Sequence, residues 1–172
     1  PEDTITCIAA QSEMPFNTCL LADLLATGVP PKGLYTRSES FFRTHHLDLK
    51  LNTFIVEIDR HTQRITDHQG VSYHYDTLFI GTGTRPRALR TDFTARAALF
   101  QFHTLSDVVA LETFIQKEHP RTALVVGAGL SGVECSDALT ARGIGVTLLD
   151  PAARPLSLLI NQASGDLLID LM

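Results

Sequence analysis

A glycine-spaced turn between two apolar runs constrains the fold of this chain more than any other feature. Residues 123–126 form a short apolar, β-branched run of the length expected for a buried parallel strand. Gly127, Gly129 and Gly132 follow at G-x-G-x-x-G spacing, and a helical pattern extends over residues 130–142. The order of strand, glycine turn and helix predicts an α/β fold with a parallel sheet.

The same turn has the chemistry of a dinucleotide site. Gly127 permits a tight turn, Gly129 lets the backbone approach a pyrophosphate, and Gly132 lets the helix pack closely on the strand. Leu130 and Ser131 open the helix, whose first N–H groups and partial positive charge attract phosphates. The segment therefore predicts a Rossmann-like unit that binds a dinucleotide.

An acidic residue indicates which dinucleotide is preferred. A second apolar run, residues 146–149, predicts another strand that ends at Asp150, 18 positions after Gly132. This offset is close to the spacing of about 20 residues expected for a ribose-binding acid. A carboxylate accepts hydrogen bonds from a 2′-hydroxyl and repels a 2′-phosphate, so Asp150 predicts a preference for NADH over NADPH.

The rest of the chain predicts further helices and strands, and one stretch in which apolar residues alternate with polar ones. Alternating apolar residues between about 54 and 75 predict an antiparallel meander of three short strands. The other predicted elements are a buried strand at 4–10, a helix at 20–27, a short helix and a strand within 41–51, a strand at 77–80, a helix at 105–119 behind a capping box at Thr104–Asp107, a loop at 151–155 and the start of a helix at 166–172.

Composition argues against several classes of protein, among them nucleic-acid-binding, membrane-spanning and secreted ones. The net charge of −5 argues against a nucleic-acid partner, and no apolar run is long enough to cross a bilayer. We find no secretory signal, and an odd set of three cysteines favours a reducing, cytoplasmic compartment. The seven histidines lack metal-ligand spacing, so we expect no metal site.

Three stretches together resemble the pyridine nucleotide–disulfide oxidoreductase family of FAD- and NAD(P)H-dependent flavoproteins. They are YDTLFIGTGTRPR at 75–87, TALVVGAGLSGVE at 122–134 and VTLLDPAARPL at 146–156. The family's second FAD motif, ATG-S/A-x-P, is matched by Gly81, Thr82, Gly83, Thr84 and Pro86, with Gly81 in place of the usual alanine. Its NAD motif, G-x-G-x-x-G-x-E, is matched by the three glycines and Glu134.

The resemblance implies that two parts of the chain bind different cofactors. Residues 1–100 are expected to be a partial FAD-binding domain that includes the meander, and residues 101–172 the first half of an inserted NAD(H)-binding domain. The connector at 87–100 is the expected boundary. Both domains would be truncated, the chain being an internal fragment. The residues implied in FAD binding are Gln11, Thr82, Gly83, Thr84 and Arg85; those in NAD binding are Gly127, Gly129, Leu130, Ser131, Gly132, Glu134 and Asp150.

The residues around Cys19 match the patterns of two subfamilies. In the CoA-disulfide reductase and NADH oxidase group, a single redox cysteine lies three residues after an aromatic residue, as Cys19 does after Phe16. In the rubredoxin, ferredoxin and nitrite reductase group, the same place has an aromatic residue and Asn before a leucine-rich helix, which the sequence also matches. A small apolar helix-start residue is the third interpretation of Cys19. Cys7 and Cys135 are expected to be packing residues, and Arg154 a solvated one.

The resemblance thus implies an oxidoreductase in which hydride passes from NADH to FAD and electrons go on to a protein or small acceptor. A homo-oligomer of a longer parent chain is left open. The alternatives are the single-cysteine type that uses Cys19, a non-catalytic NAD-binding or redox-sensing module, and an inert truncated product.

Overall fold

The computed structural model describes residues 4–87 and 98–171 and divides into two compact units. The first comprises Pro1–Phe16 and Tyr35–Arg85, and the second Asn17–Leu34 and Pro86–Met172. Most of the predicted connector lies outside the described residues. In chain order the elements are β1 (Ile5–Ile8), a 3-10 turn (Thr18–Leu20), α1 (Leu21–Thr27), α2 (Glu39–Thr44), β2 (Leu47–Lys50), β3 (Ile55–Asp59), β4 (Arg64–Asp67), β5 (Ser72–His74), α3 (Leu105–Glu118), β6 (Thr122–Val126), α4 (Leu130–Ala141), β7 (Gly145–Leu149) and α5 (Gln162–Leu171).

The first unit contains two small sheets. Strands β1 and β2 pair in parallel, with Ile5 opposite Leu47. Strands β3, β4 and β5 form an antiparallel sheet in that order, so the predicted three-stranded meander is confirmed. The period-two alternation and the turn residues between the runs were sufficient to predict it.

Asp67 organises the last turn of the meander. Its buried carboxylate accepts hydrogen bonds from the N–H groups of Gln69 and Val71, both at 2.9 Å, and from the Tyr73 hydroxyl at 2.8 Å. Burial alone would raise the pKa of Asp67, but these bonds hold the pKa below its usual value. The turn is therefore closed by a carboxylate whose partners are all within seven residues.

The second unit is built on the predicted strand, turn and helix. Strands β6 and β7 pair in parallel, from Thr122 opposite Gly145 to Val126 opposite Leu149. Helix α4 packs on this pair, and its Ala138 and Leu139 are buried as the sequence predicts. The helix ends at Ala141, where Gly143 adopts a left-handed φ of 76°.

Helix α3 begins with the predicted capping box. The Asp107 N–H donates to Thr104 Oγ1 at 3.1 Å, and the Thr104 N–H donates to Asp107 Oδ2 at 2.8 Å. Val108 and Ile115 are buried, but Val109, which the sequence placed in the same apolar stripe, is exposed. The capping box is a local signal, whereas the exact edge of the stripe depends on what packs beside it.

A partly buried ion pair ties three helices of the second unit together. Arg142, at the end of α4, pairs with Glu112 of α3 and donates to the Leu25 carbonyl of α1 at 2.9 Å. Gln116 also donates to Glu112, at 2.7 Å. Burial alone would raise the pKa of Glu112, but the hydrogen bonds from Arg142 and Gln116 and the charge of Arg142 hold the pKa below its usual value. We call Arg142, Glu112 and the Leu25 carbonyl the helix clamp.

The prediction of fully buried strands is wrong for both parallel pairs. Strand β1 covers only Ile5–Ile8 of the predicted 4–10, and Ile5 is exposed. In the second unit Leu124 and Val126 of β6 and Leu149 of β7 are exposed. Among the described residues α4 packs on one face of the β6–β7 pair, so alternate side chains on the other face remain open.

Two further boundaries differ from the sequence prediction. Residues 77–80 form no strand, and Phe79 is 90% exposed. No described strand pairs with this segment, and an apolar run becomes a strand only where a partner satisfies its N–H and C=O groups. Helix α5 begins at Gln162 rather than at 166, because Asn161, whose side chain accepts from the Ser164 N–H at 2.9 Å, provides an earlier cap.

Candidate functional site

The fold itself requires two glycines of the 127–132 loop. Gly127 has a φ of 109°, which a residue with a side chain rarely adopts, and its N–H donates to the Leu149 carbonyl at 2.8 Å. A Cβ added at Gly132 would lie 1.7 Å from the Gly127 carbonyl oxygen. The first glycine therefore makes the turn, and Gly132 lets the helix approach the strand, as the spacing predicts.

Gly129 is different, because nothing in the protein requires a glycine there. Its φ is −74°, and a Cβ added to it would have no atom within 4 Å. Gly129 is also the N-cap of α4, without a side-chain hydrogen bond to cap the helix. The backbone at Gly129 is thus open on the side where a bound molecule would lie.

Helix α4 directs unused donors into the same open space. Its first helical bond runs from the Val133 N–H to the Gly129 carbonyl at 3.0 Å, so the N–H groups of Leu130, Ser131 and Gly132 have no acceptor within the helix. Leu130 and Ser131 are exposed. Glu134 lies one turn farther along the helix and is half-buried. The structure therefore brings the predicted helix-start residues to one exposed N-terminus.

Asp150 lies beside this loop, but its carboxylate already has two partners. Oδ2 accepts the Ala128 N–H and Oδ1 accepts the Ala152 N–H, both at 2.7 Å. These two backbone donors hold the pKa of Asp150 below its usual value. The sequence placed Asp150 at the strand end correctly, but its hydrogen bond to the glycine loop had no sequence signal.

A cleft of about 260 Å³ adjoins Asp150. Arg154, predicted to be a solvated surface residue, instead lines this cleft and is half-buried. Its Cδ lies 3.2 Å from where a Cβ would stand on Gly165 of α5, and its Nε is 3.9 Å from the Asp166 carboxylate. The lining residues are Ala128, Leu148, Asp150, Ala152, Ala153, Arg154, Pro155 and Ile169.

The residues predicted to contact FAD lie in the first unit and are exposed. The Gln11 carbonyl accepts the Asn52 N–H at 2.8 Å. The Arg85 guanidinium lies over the Phe54 ring, 5.2 Å from its centroid. Thr82, Gly83 and Thr84 are also exposed. The segment 52–54 therefore contacts both Gln11 and Arg85, although the two are far apart in sequence.

The three cysteines are free thiols in different surroundings. Cys19 is exposed in the 3-10 turn, where its N–H donates to Asn17 Oδ1 at 3.1 Å. Cys135 is buried on α4, and burial raises the pKa of its thiol to about 11, consistent with the predicted packing role. Cys7 is half-buried on β1. Cys19 is the most exposed of the three.

Within residues 4–87 and 98–171, no three His, Cys, Asp or Glu side chains are grouped so as to hold a metal ion. Nor does that part of the chain contain a helix with the length and hydropathy needed to cross a membrane.

Comparison with known proteins places this geometry in a family. The family model described as pyridine nucleotide-disulphide oxidoreductase matches residues 2–169. The ferredoxin–NAD(+) reductase component of the anthranilate 1,2-dioxygenase system of Burkholderia cepacia is 28% identical over 162 residues, covering 94% of this chain and 39% of that protein. The NAD(P)H coenzyme A polysulfide/persulfide reductase of Pyrococcus horikoshii is 26% identical over 140 residues, covering 81% of this chain and 32% of that protein.

A solved structure has the same fold. The crystal structure of reduced Bacillus anthracis CoADR-RHD matches with a TM-score of 0.90 at 24% sequence identity, covering 99% of this chain and 32% of that one. The chain thus spans less than two fifths of each of these three proteins. The match over nearly the whole sequence, together with the glycine loop, shows that the chain belongs to the pyridine nucleotide-disulphide oxidoreductase family.

Proposed function

We propose that this chain is part of an FAD-dependent NAD(P)H oxidoreductase that takes hydride from NADH and passes electrons to an acceptor. The single observation that carries the proposal is Gly129. Its backbone is open where the protein needs no glycine, at a helix start with three unused N–H groups. Family membership and the relative from Burkholderia cepacia support a flavoprotein reductase with a protein acceptor.

In this proposal the second unit binds the nicotinamide nucleotide. The N–H groups of Leu130, Ser131 and Gly132 hold the pyrophosphate, and Gly129 leaves room for it. Asp150 remains anionic at neutral pH, because its backbone donors lower its pKa. A fixed negative charge accepts hydrogen bonds from a ribose diol and repels a 2′-phosphate, so NADH is favoured over NADPH. Glu134 faces the nicotinamide side.

The first unit is proposed to hold FAD through Gln11, Thr82, Gly83, Thr84 and Arg85. The redox chemistry, acceptance of hydride from NADH and release of electrons to the acceptor, belongs to the bound flavin. The chain's own contribution is to bind and orient the two nucleotides. In this proposal residues 1–100 belong to the FAD domain and residues 101–172 to the NAD(H) domain, although Asn17–Leu34 is part of the compact second unit. The three free thiols support a cytoplasmic location.

The exposure of Cys19 supports a second candidate. A thiol in the turn before α1 is accessible to a disulfide substrate, and the relative from Pyrococcus horikoshii is a coenzyme A polysulfide/persulfide reductase. In this version the Cys19 thiolate attacks a disulfide, forms a mixed disulfide and releases one thiol.

Incubation of the chain with coenzyme A disulfide, followed by mass spectrometry, tests this thiol route. One coenzyme A adduct that Cys19→Ser abolishes supports the thiol route, and its absence supports the protein-acceptor route.

Binding of NADH to the wild-type chain and to Gly129→Ala tests the leading proposal. The added methyl group meets no protein atom, so we expect an unchanged melting temperature. It enters the space assigned to the pyrophosphate, so we expect NADH affinity to fall by about tenfold or more. Equal affinity of the two proteins, or no binding by the wild type, would contradict the assignment.

The proposed FAD site in the first unit is tested by refolding the chain with FAD. Visible flavin absorption that stays with the protein, and its bleaching by NADH, would support the site.

A further inference from the structure

We propose that Asp150 is a positioning residue, which holds the glycine loop in its nucleotide-binding shape through Ala128. This inference rests on the proposed function, because it concerns the same loop. It differs from the ribose contact that the sequence predicts for this acid. A residue that only contacts the ribose acts when the nucleotide is bound, whereas a positioning residue shapes the site before the nucleotide arrives.

Both oxygens of Asp150 are engaged in the protein alone. Oδ2 accepts from Ala128, which lies between the first two glycines of the loop, and Oδ1 accepts from Ala152, which follows β7. The bond to Ala128 spans 22 positions of sequence. Because each oxygen has its own backbone donor, rotation of the carboxylate would break at least one charge-assisted hydrogen bond.

The segment after β7 that contains Asp150 also binds the carbonyl group of Ala128. The Leu156 N–H donates to the Ala128 carbonyl at 2.8 Å. Leu156 has a φ of 52°, a left-handed conformation that an ordinary L-residue adopts only where its surroundings enforce it. The buried Ala128 therefore has its N–H and its C=O bound by residues 150–156. We call Ala128, Asp150, Ala152 and Leu156 the loop clip.

The loop clip changes what substitution of Asp150 should do. If the carboxylate only contacted the ribose, its removal would weaken NADH binding and relieve the repulsion of NADPH. In the loop clip its removal also releases Ala128, and with it the spacing between Gly127 and Gly129 on which any pyrophosphate depends. Affinity for NADH and for NADPH should then fall together.

The test uses the 172-residue chain with Asp150→Asn and Asp150→Ala, and Asp137→Ala as the control. Asp137 is an exposed acid on α4, so its removal changes the charge equally without touching the loop clip. The first measurement is made without nucleotide, by amide NMR. We expect the Ala128 and Ala152 amide protons to lose their low-field, carboxylate-bonded shifts in both Asp150 variants and to be unchanged in the control.

The second measurement is the dissociation constants of NADH and NADPH. We expect the affinity of Asp150→Ala for NADH to fall by about tenfold or more, as for a lost hydrogen bond to a charged group, and its affinity for NADPH to fall as well. Unchanged amides, or NADPH bound by Asp150→Ala as tightly as NADH by the wild type, would overturn the positioning role. Failure of the wild type to bind either nucleotide counts against the proposed function, while the nucleotide-free amides still decide whether Asp150 holds the loop.

Discussion

Two glycine-containing segments, residues 127–132 and 81–86, have very different structures in this chain. The first lies between a paired strand and a helix, with Gly127 bonded to Leu149 and Ala128 bonded on both sides. The second is exposed and follows residues 77–80, which form no strand. Arg85 of this segment lies over the Phe54 ring. Both match family motifs in sequence, the second with Gly81 in place of the usual alanine.

The difference shows what a glycine pattern needs in order to become a defined site. Glycines permit a tight backbone path but do not stabilise it, since they lose the most conformational freedom on folding. The path in the second unit is enforced by β6, β7 and α4, which pack on one another within the described residues. No described strand pairs with residues 77–80, so the 81–86 segment does not follow a paired strand as the 127–132 loop does.

The largest expected effect is that of Gly132→Ala. The added methyl group would overlap the Gly127 carbonyl oxygen, and this atom is backbone that cannot move without opening the helix–strand contact. We expect the free energy of unfolding to fall by about 3 kcal/mol, measured by urea denaturation. Gly129→Ala, three residues earlier, is the control and should leave stability unchanged. Equal stability of the two variants would contradict the close contact between α4 and the Gly127 carbonyl.

The next effect is that of Arg142→Ala, which opens the helix clamp. The side chains of Arg142 and Glu112 are only 20% and 12% exposed, so removal of Arg142 leaves the Glu112 carboxylate partly buried without a positive partner. We expect a loss of roughly 2 kcal/mol in the free energy of unfolding. Lys117→Ala, which removes an exposed ion pair with Glu118 on the same helix, should change little.

The helix clamp also predicts a pH dependence. The pKa of Glu112 is lower in the folded chain than in the unfolded one, so its stabilisation is present above the unfolded pKa and is lost as pH falls through the folded pKa. Arg142→Ala should therefore flatten the acid side of the stability profile. A variant whose profile parallels that of the wild type would contradict a coupling between the two side chains.

The smallest effect is expected for Phe79→Ser in the exposed segment. Phe79 is 90% exposed and buries little apolar area, so its removal should leave the free energy of unfolding unchanged and increase solubility. Thermal melting and the concentration at which the chain precipitates are the measurements. A large fall in stability would mean that residues 77–86 are packed as firmly as the 127–132 loop.

Local sequence signals predicted most of the second unit. The capping box of Thr104 and Asp107, the turn at Gly127 and the end of α4 each depend on residues within one or two turns of one another, so they were visible in the sequence. The meander followed from its alternation in the same way. Burial was predicted less well. An apolar run such as 77–80 does not reveal whether a neighbour will cover it.

The sequence by itself determined the order of the elements of the second unit, the parallel pair around the glycine loop and the residues at its helix start. Only the tertiary structure decided that Asp150 binds the Ala128 N–H, 22 positions away, and that Arg142 reaches the Leu25 carbonyl, 117 positions away. The physical reason is the range of the interactions. Helix caps, turns and side-chain periods are set by neighbours in the chain, whereas these anchors exist only where packing brings distant backbone and charge together.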